Sequence, residues 1–436
     1  MNRRYLVSDS CSARLAPLAS RCSDRLIIRL IAAVVILFLA VTLYLNATSP
    51  FNYELIVTLE RVKNRRLMSS LCSMLGSHCL KGSWEHTTAA TTSTEPVNPT
   101  WDVNRYANRF FWETVHGSEG FVTFKGGKGR ELAFRKSPVY VPSKCSTSVA
   151  QRMSHNRRGP TIFHPELHLL MNSELLNKSE YLRLAPFYMP FGYKNKRKFS
   201  FKDVLATLKL FPAKSSIFEF SKDKPRPECL SCAVVCNGGV LNGSKKGEEI
   251  DNHHMVFRVN KAVRRHHEKD VGQRATHYFF FDRSLRNTSV VDVPADKGLI
   301  YVFVPCRDND YKYITSVVRG LEPKIKVATQ DIRILHPDFI RYIMKIWVHS
   351  PLKSFRPTTG TLMLMTALHS GCDQVSVYGM GYTDKYTLYY YDSAYRRFHM
   401  DKSSHDTQSE LAILKGLDRA GIITWYKRDV EEFHTS

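Results

Sequence analysis

From about Cys145 onward the chain alternates short, wholly apolar runs with longer stretches whose apolar residues return every three or four positions. The short runs Ala233–Val235, Met255–Val259, Tyr278–Phe281, Leu299–Val304 and Val375–Tyr378 predict buried strands. The longer stretches Phe201–Leu210, Pro337–Val348 and Thr361–Ser370 predict helices. Strands that alternate with helices build a mostly parallel α/β sheet with helices on both faces. Such sheets hold ligands at the carboxyl ends of their strands.

The pattern upstream is different. Leu30–Leu45 reads LIAAVVILFLAVTLYL, sixteen residues without a charge, and from Leu26 the stretch reaches about 20 with only Arg29 interrupting it. Arg3, Arg4, Arg14, Arg21, Arg25 and Arg29 precede or open it, so the positive-inside rule places the N-terminus in the cytosol and the rest in a lumen. A cleaved signal peptide is the competing reading, but no clear small-x-small cleavage site follows. Residues 86–100, HTTAATTSTEPVNPT, are rich in Thr and Pro and resemble an O-glycosylated stalk. The expected organisation is a cytoplasmic tail (1–25), a transmembrane signal anchor (26–45), a lumenal stem (46–135) and a folded domain (136–436).

Composition sharpens this picture at two points. Lys plus Arg number 63 and Asp plus Glu 40, a formal charge of +23, which favours anionic partners without choosing among them. No zinc-finger spacing or aromatic-basic RNA motif is present, and a lumenal anchor argues against nucleic acid. The ten cysteines include Cys229-x-x-Cys232 with Cys236 close by. A zinc site would want a second close pair; the other cysteines are mostly scattered, which suits long-range disulfides in a lumenal domain. Sequons at Asn177, Asn242 and Asn287 fit the same compartment, whereas Asn46 lies too near the membrane.

Four segments carry candidate chemistry. In the first, a strand runs into Asn237-Gly238-Gly239, where glycines let backbone amides approach a phosphate or ribose, although an ordinary tight turn reads the same way. The next strand ends at Asn260, giving a second carboxamide to read a nucleotide. The second segment places Thr358, Thr359 and Gly360 just before a helix, either as an anion site or as a plain N-cap. The third is the aromatic run Tyr389–Asp392, which also reads as packing. The fourth is His405-DTQS-Glu410, whose His suits general-base work on a hydroxyl, a lone surface His being the alternative. Asp308-Asn-Asp310 mimics the metal clamp of nucleotide-sugar transferases but arises easily by chance.

Together these segments resemble, in order and approximate spacing, the sialylmotifs of eukaryotic sialyltransferases. The long motif corresponds to Cys232 through about Arg274, the small motif to Pro357–Gly379, the third to Tyr389–Asp392 and the very small motif to His405–Glu410. NGGVLNGS, FRPTTG, TALHSGCDQVSVYG, LHPDFIRY, GIITWYKR and NKSEYLRLAPFYMPFGY are similar to the alpha-N-acetylgalactosaminide alpha-2,6-sialyltransferases.

The resemblance implies a variant GT-A-like single Rossmann-like domain, CMP-sialic acid as donor, no metal or other cofactor, and a single-pass type II Golgi membrane protein. It implies transfer to the 6-hydroxyl of GalNAc O-linked to Ser or Thr, with or without galactose on it, and O-glycosylated glycoproteins as partners. It implies donor contacts at Asn237, Asn260, Thr358, Thr359 and Gly360, a catalytic group of His405 as base with Tyr389 and Glu410, and bridges Cys232–Cys372 and Cys145–Cys229. Cys236 stands where the family usually has Gly, and Tyr389 where it usually has His. These departures keep open a catalytically lapsed glycan- or CMP-binding homologue, beside a sialyltransferase of other acceptors such as galactose-ended N-glycans.

Overall fold

The structure is a computed structural model that describes residues 112–115, 120–126, 130–156, 158–194, 199–321, 327–350, 356–381, 385–395 and 404–428. The expected tail, the span Leu26–Leu45 and most of the stem lie outside these residues. No helix among the described residues is long and apolar enough to cross a membrane.

Eight strands form the main sheet: β4 (Leu170–Met171), β5 (Ser231–Val235), β6 (Met255–Val259), β7 (His277–Phe280), β8 (Ile300–Phe303), β9 (Ile332–Leu335), β10 (Gln374–Tyr378) and β11 (Thr424–Trp425). Their order is β11-β10-β5-β6-β7-β8-β9-β4, and every pairing is parallel except β4 with β9. After the short edge strand β4, the parallel part starts in mid-sheet at β5, winds outward to β9, and returns to place β10 on the other side of β5. The carboxyl ends of β5 and β10 form the switch point where an open α/β sheet has a natural crevice.

Alternation along the strands separates two apolar faces. Cys232, Val234, Phe257, Val259, Val302, Val375 and Val377 pack with Leu362, Met365, Leu414 and Leu417 from the helices Thr359–His369 and Thr407–Arg419. Opposite them, Ala233, Val235, Val256 and Tyr378 meet Leu241 and Ile250, while Tyr278, Phe280, Tyr301 and Phe303 cover the helices Phe201–Leu208 and Asp310–Val318. Buried polar residues break this apolar rule at His277, Arg333 and, most deeply, Arg258. Arg258 is buried on β6, and its guanidinium donates to the Arg274 and Val271 carbonyls, both at 2.7 Å.

All five expected strands form, most shifted by one or two residues. The helix expected over Pro337–Val348 is α-helical to Tyr342 and π-helical over Ile343–Val348, ending at His349 with φ 53°. The expected boundary at residue 136 is too late. β1 (Trp112–Val115), β2 (Phe121–Gly126) and β3 (Arg130–Arg135) make a separate antiparallel sheet within the presumed stem. Val122, Phe124 and Phe134 from it are buried in the main core against Tyr342 and His164. Both disulfides expected from the resemblance are present: Cys232–Cys372 ties β5 to the turn before β10, and Cys145–Cys229 ties the segment before β5 to the start of the domain. Cys236 and Cys306 are free and buried.

Candidate active site

The carboxyl ends of β5 and β6 place Asn237 and Asn260 on adjacent strands, as their positions in the sequence suggest. Asn237 Nδ2 donates to the Val259 carbonyl at 3.0 Å, which locks the two strand ends together. Asn260 has φ 56°, a left-handed conformation that Asn tolerates better than most residues. Its own carbonyl accepts the Tyr278 hydroxyl at 2.6 Å. Its Oδ1 is buried with no hydrogen-bond partner among the described residues, an acceptor held ready for a ligand donor.

Of the two readings open for Gly238 and Gly239, a phosphate approach or a tight turn, the packing around them favours the turn. The Gly238 amide donates to the Gly379 carbonyl at 2.8 Å. A Cβ on Gly238 would lie 2.6 Å from the Gly379 oxygen, and one on Gly239 would lie 2.0 Å from the Thr387 oxygen. The glycines thus let three chain segments converge. Tyr389 forms a β-bridge with Gly238, and the Tyr390 amide donates to the Asn237 carbonyl at 3.0 Å. The tyrosine run is therefore part of the wall beside the two asparagines. The Tyr389 ring stacks on Tyr391 with centroids 5.2 Å apart, and burial followed by the Asp392 charge raises its pKa, so it remains a neutral phenol.

Across from this wall the helix Thr359–His369 begins. Thr358 is its N-cap, with Oγ1 accepting from the Thr361 amide at 3.1 Å. The first-turn amides of Thr359 and Gly360 have no carbonyl to bond within the helix and suit an anion. Gly360 is needed here for packing, because a Cβ would stand 3.0 Å from Cys236 Sγ. Cys236 thus points into the core beneath the helix start, and burial pushes its thiol up to about 12.

Glu410 lies beneath the same turn. It accepts from the Thr358 amide at 2.9 Å and from the Thr358 and Thr361 hydroxyls at 2.5 Å each. At 5% exposure it is shut away from the cleft, and burial pushes its carboxyl up to about 7 against those bonds. This corrects the expectation that Glu410 sits among the reacting groups; it fixes the N-cap.

His405 does reach the cleft. A small cleft is lined by His405, Arg356, Thr359, Phe281, Cys306 and neighbouring apolar residues. His405 Nδ1 lies 2.8 Å from the Arg356 carbonyl, so that nitrogen carries the hydrogen and Nε2 carries the lone pair of the neutral ring. Burial, with the Arg356 charge, holds its pKa below the ordinary histidine value despite that bond. The site thus presents a neutral, tautomer-fixed base beside a helix N-terminus, the arrangement needed to deprotonate a hydroxyl while an anionic group departs.

Asp310, half of the apparent metal clamp, accepts from the Cys306 and Arg307 amides at 2.7 and 3.0 Å at the start of its own helix. Among the described residues no group of three or more His, Cys, Asp or Glu is arranged to hold a metal ion. The sequence reading gave no role to Arg356, Phe281 or Cys306, which line the cleft. Arg356 had one signal, its place directly before Pro357 and the Thr358 cap.

Comparison with known proteins decides the family. Residues 170–422 match the model of glycosyltransferase family 29 (sialyltransferase). The chain belongs to this family. It is 32% identical to human alpha-N-acetylgalactosaminide alpha-2,6-sialyltransferase 2 over 64% of this chain and 80% of that protein. It is similar to a solved mammalian sialyltransferase with a TM-score of 0.52 and 26% identity, covering 66% of this chain and 99% of the other. A mammalian sialyltransferase solved in complex with Gal-beta-1-3GalNAc-ortho-nitrophenol gives a TM-score of 0.50 and 25% identity over the same shares of the two chains. The family 29 match runs from β4 to the edge of β11 and so includes every site element described above. This protein is a family 29 sialyltransferase.

Proposed function

We propose that the protein transfers sialic acid from CMP-sialic acid to the 6-hydroxyl of GalNAc O-linked to Ser or Thr, with inversion at the anomeric carbon. His405 Nε2 takes the proton of the attacking hydroxyl, and Nδ1 keeps its bond to the Arg356 carbonyl throughout. The amides of Thr359 and Gly360 and the Thr358 cap stabilise the departing CMP phosphate. Asn237 and Asn260 read the nucleotide, and the Tyr389 phenol donates to the leaving group without carrying charge. A monophosphate leaving group asks less of a metal clamp than a diphosphate does.

The single observation that carries this reading is the tautomer-fixed His405 in one cleft with the start of the Thr359–His369 helix. The GalNAc acceptor rests on the similarity to alpha-N-acetylgalactosaminide alpha-2,6-sialyltransferases. A lumenal Golgi location, with residues 26–45 as a signal anchor, follows from the apolar span and the basic flank. Asn177, Asn242 and Asn287 are exposed on the folded domain, where lumenal glycosylation would reach them.

The test is transfer by the full chain in detergent to a GalNAc glycopeptide, a Galβ1,3GalNAc glycopeptide and a galactose-ended N-glycan, each with EDTA. Transfer to GalNAc position 6 that survives EDTA and disappears in His405→Ala supports the proposal. Transfer only to the N-glycan refutes the acceptor, and CMP binding with no transfer to any acceptor refutes turnover.

A further inference from the structure

The reaction as outlined leaves one cation in the cleft unused. Two guanidinium groups act on Cys306 through their charge, those of Arg356 and Arg307. Arg307 is neutralised: it ion-pairs with Asp282 and lies 3.6 Å from Asp310. Arg356 has no carboxylate within ion-pair distance among the described residues. Its guanidinium lies 5.6 Å from the centroid of the Phe281 ring. Arg356 is half-buried and lines the same cavity as His405 and Thr359.

A guanidinium placed over an aromatic ring at this distance leaves its in-plane N–H fork available, and that fork matches a carboxylate in bidentate geometry. Partial withdrawal from water strengthens its pull on an incoming anion several-fold over that of a surface cation. A donor of the proposed class brings two anions to the site. The phosphate has its own donors at the helix N-terminus. The carboxylate is carried by the anomeric carbon itself, the atom attacked by the hydroxyl that His405 deprotonates. A cation that shares a cleft with the base, and whose own carbonyl anchors that base, is therefore at the carboxylate end of the donor.

We infer that Arg356 is a donor-binding residue that holds the anomeric carboxylate of the sialic acid beside His405. The inference rests on the CMP-sialic acid reading above. It gives the enzyme a means of rejecting nucleotide sugars that lack a carboxylate at the reacting carbon.

The test compares Arg356→Gln and Arg356→Lys with the wild type, as full chains in detergent, by calorimetric binding without acceptor and by donor kinetics. The ligands are CMP, which has the phosphate and no carboxylate, CMP-sialic acid, and its carboxyl methyl ester. Arg356→Gln is expected to bind CMP within about twofold of the wild type and CMP-sialic acid roughly 10- to 100-fold more weakly. Arg356→Lys is expected to fall between them, and the methyl ester to bind wild type and Arg356→Gln alike. Retained CMP binding doubles as proof that the variant folds. Equal weakening of CMP and CMP-sialic acid overturns the assignment and moves Arg356 to the phosphate or to the scaffold. Unchanged CMP-sialic acid binding in Arg356→Gln overturns it as well. A wild-type chain that binds neither ligand refutes the donor reading itself, a result distinct from either of these.

Discussion

Replacing Glu410 by Gln tests the charge hidden under the donor helix. The carboxyl receives three hydrogen bonds, which favour its ionised form, yet burial pushes its pKa from an ordinary 4.5 up to about 7. A group whose pKa rises on folding binds more protons in the native state between the two values. Its contribution to stability is therefore fully present below pH 4.5 and lost as pH rises toward 7. At about 1.4 kcal/mol per pH unit, the span from 4.5 to about 7 corresponds to about 3 kcal/mol. About 2 kcal/mol of this falls between pH 5.5 and 7. Glu410→Gln keeps the volume and an acceptor oxygen, and its amide can donate to a Thr hydroxyl that reorients. At pH 5.5 the variant is expected to be about 1–2 kcal/mol less stable than the wild type, because its NH2 replaces the one oxygen that takes both Thr hydroxyl bonds. By pH 7.5 that gap should close or change sign. The assay is urea unfolding of both proteins at half-unit steps from pH 5 to 8 with the disulfides intact. Taking the difference removes titrations common to both, including that of Asp310, whose carboxyl burial raises to about 6. A difference that stays constant across the range would show that Glu410 is already ionised throughout and that its hydrogen bonds outweigh its burial.

Four further outcomes follow from the same geometry. His405→Ala is expected to lower kcat/KM by about 10²- to 10⁴-fold while leaving CMP affinity intact, as read by donor kinetics beside calorimetry. Because burial and the Arg356 charge lower the His405 pKa, the acid limb of the wild-type pH-rate profile should lie below pH 6.5, and Arg356→Gln should move it upward. Gly360→Ala, whose Cβ meets Cys236 Sγ at 3.0 Å, should cost about 1 kcal/mol, and Cys236→Ala in that background should recover part of it as a favourable coupling in a double-mutant cycle of thermal unfolding. Gly239→Ala should be far worse, about 2–3 kcal/mol or failure to fold, because its Cβ would meet the backbone oxygen of Thr387 at 2.0 Å.

The parallel core was legible because its strands are buried on both faces and read as unbroken apolar runs, as at Met255–Val259. β9 was less so: Arg333 interrupts Ile332–Leu335, and only the fold shows that its guanidinium escapes to Glu219. β2 and β3 read as stem from sequence because their charged, alternating pattern resembles a solvated segment until Phe124 and Phe134 meet Tyr342. At the site, position in the sequence anticipated where Asn237, Asn260, Thr358 and His405 lie: at two adjacent strand ends, at a helix cap and in the cleft. It misled at Glu410, whose task is set by what packs over it, a property with no local signature. Cys236 shows the same limit in the opposite sense. It stands in place of the glycine usual in the family, and the fold turns its buried thiol under Gly360. A thiol packed under the helix start is buried in the core, so the departure at Cys236 does not by itself argue for a lapsed enzyme. That leaves Tyr389 as the substitution through which turnover would be tuned. A phenol kept neutral by burial can donate to a departing phosphate but cannot protonate it as an imidazolium would, so the chemical step should depend on pH through His405 alone.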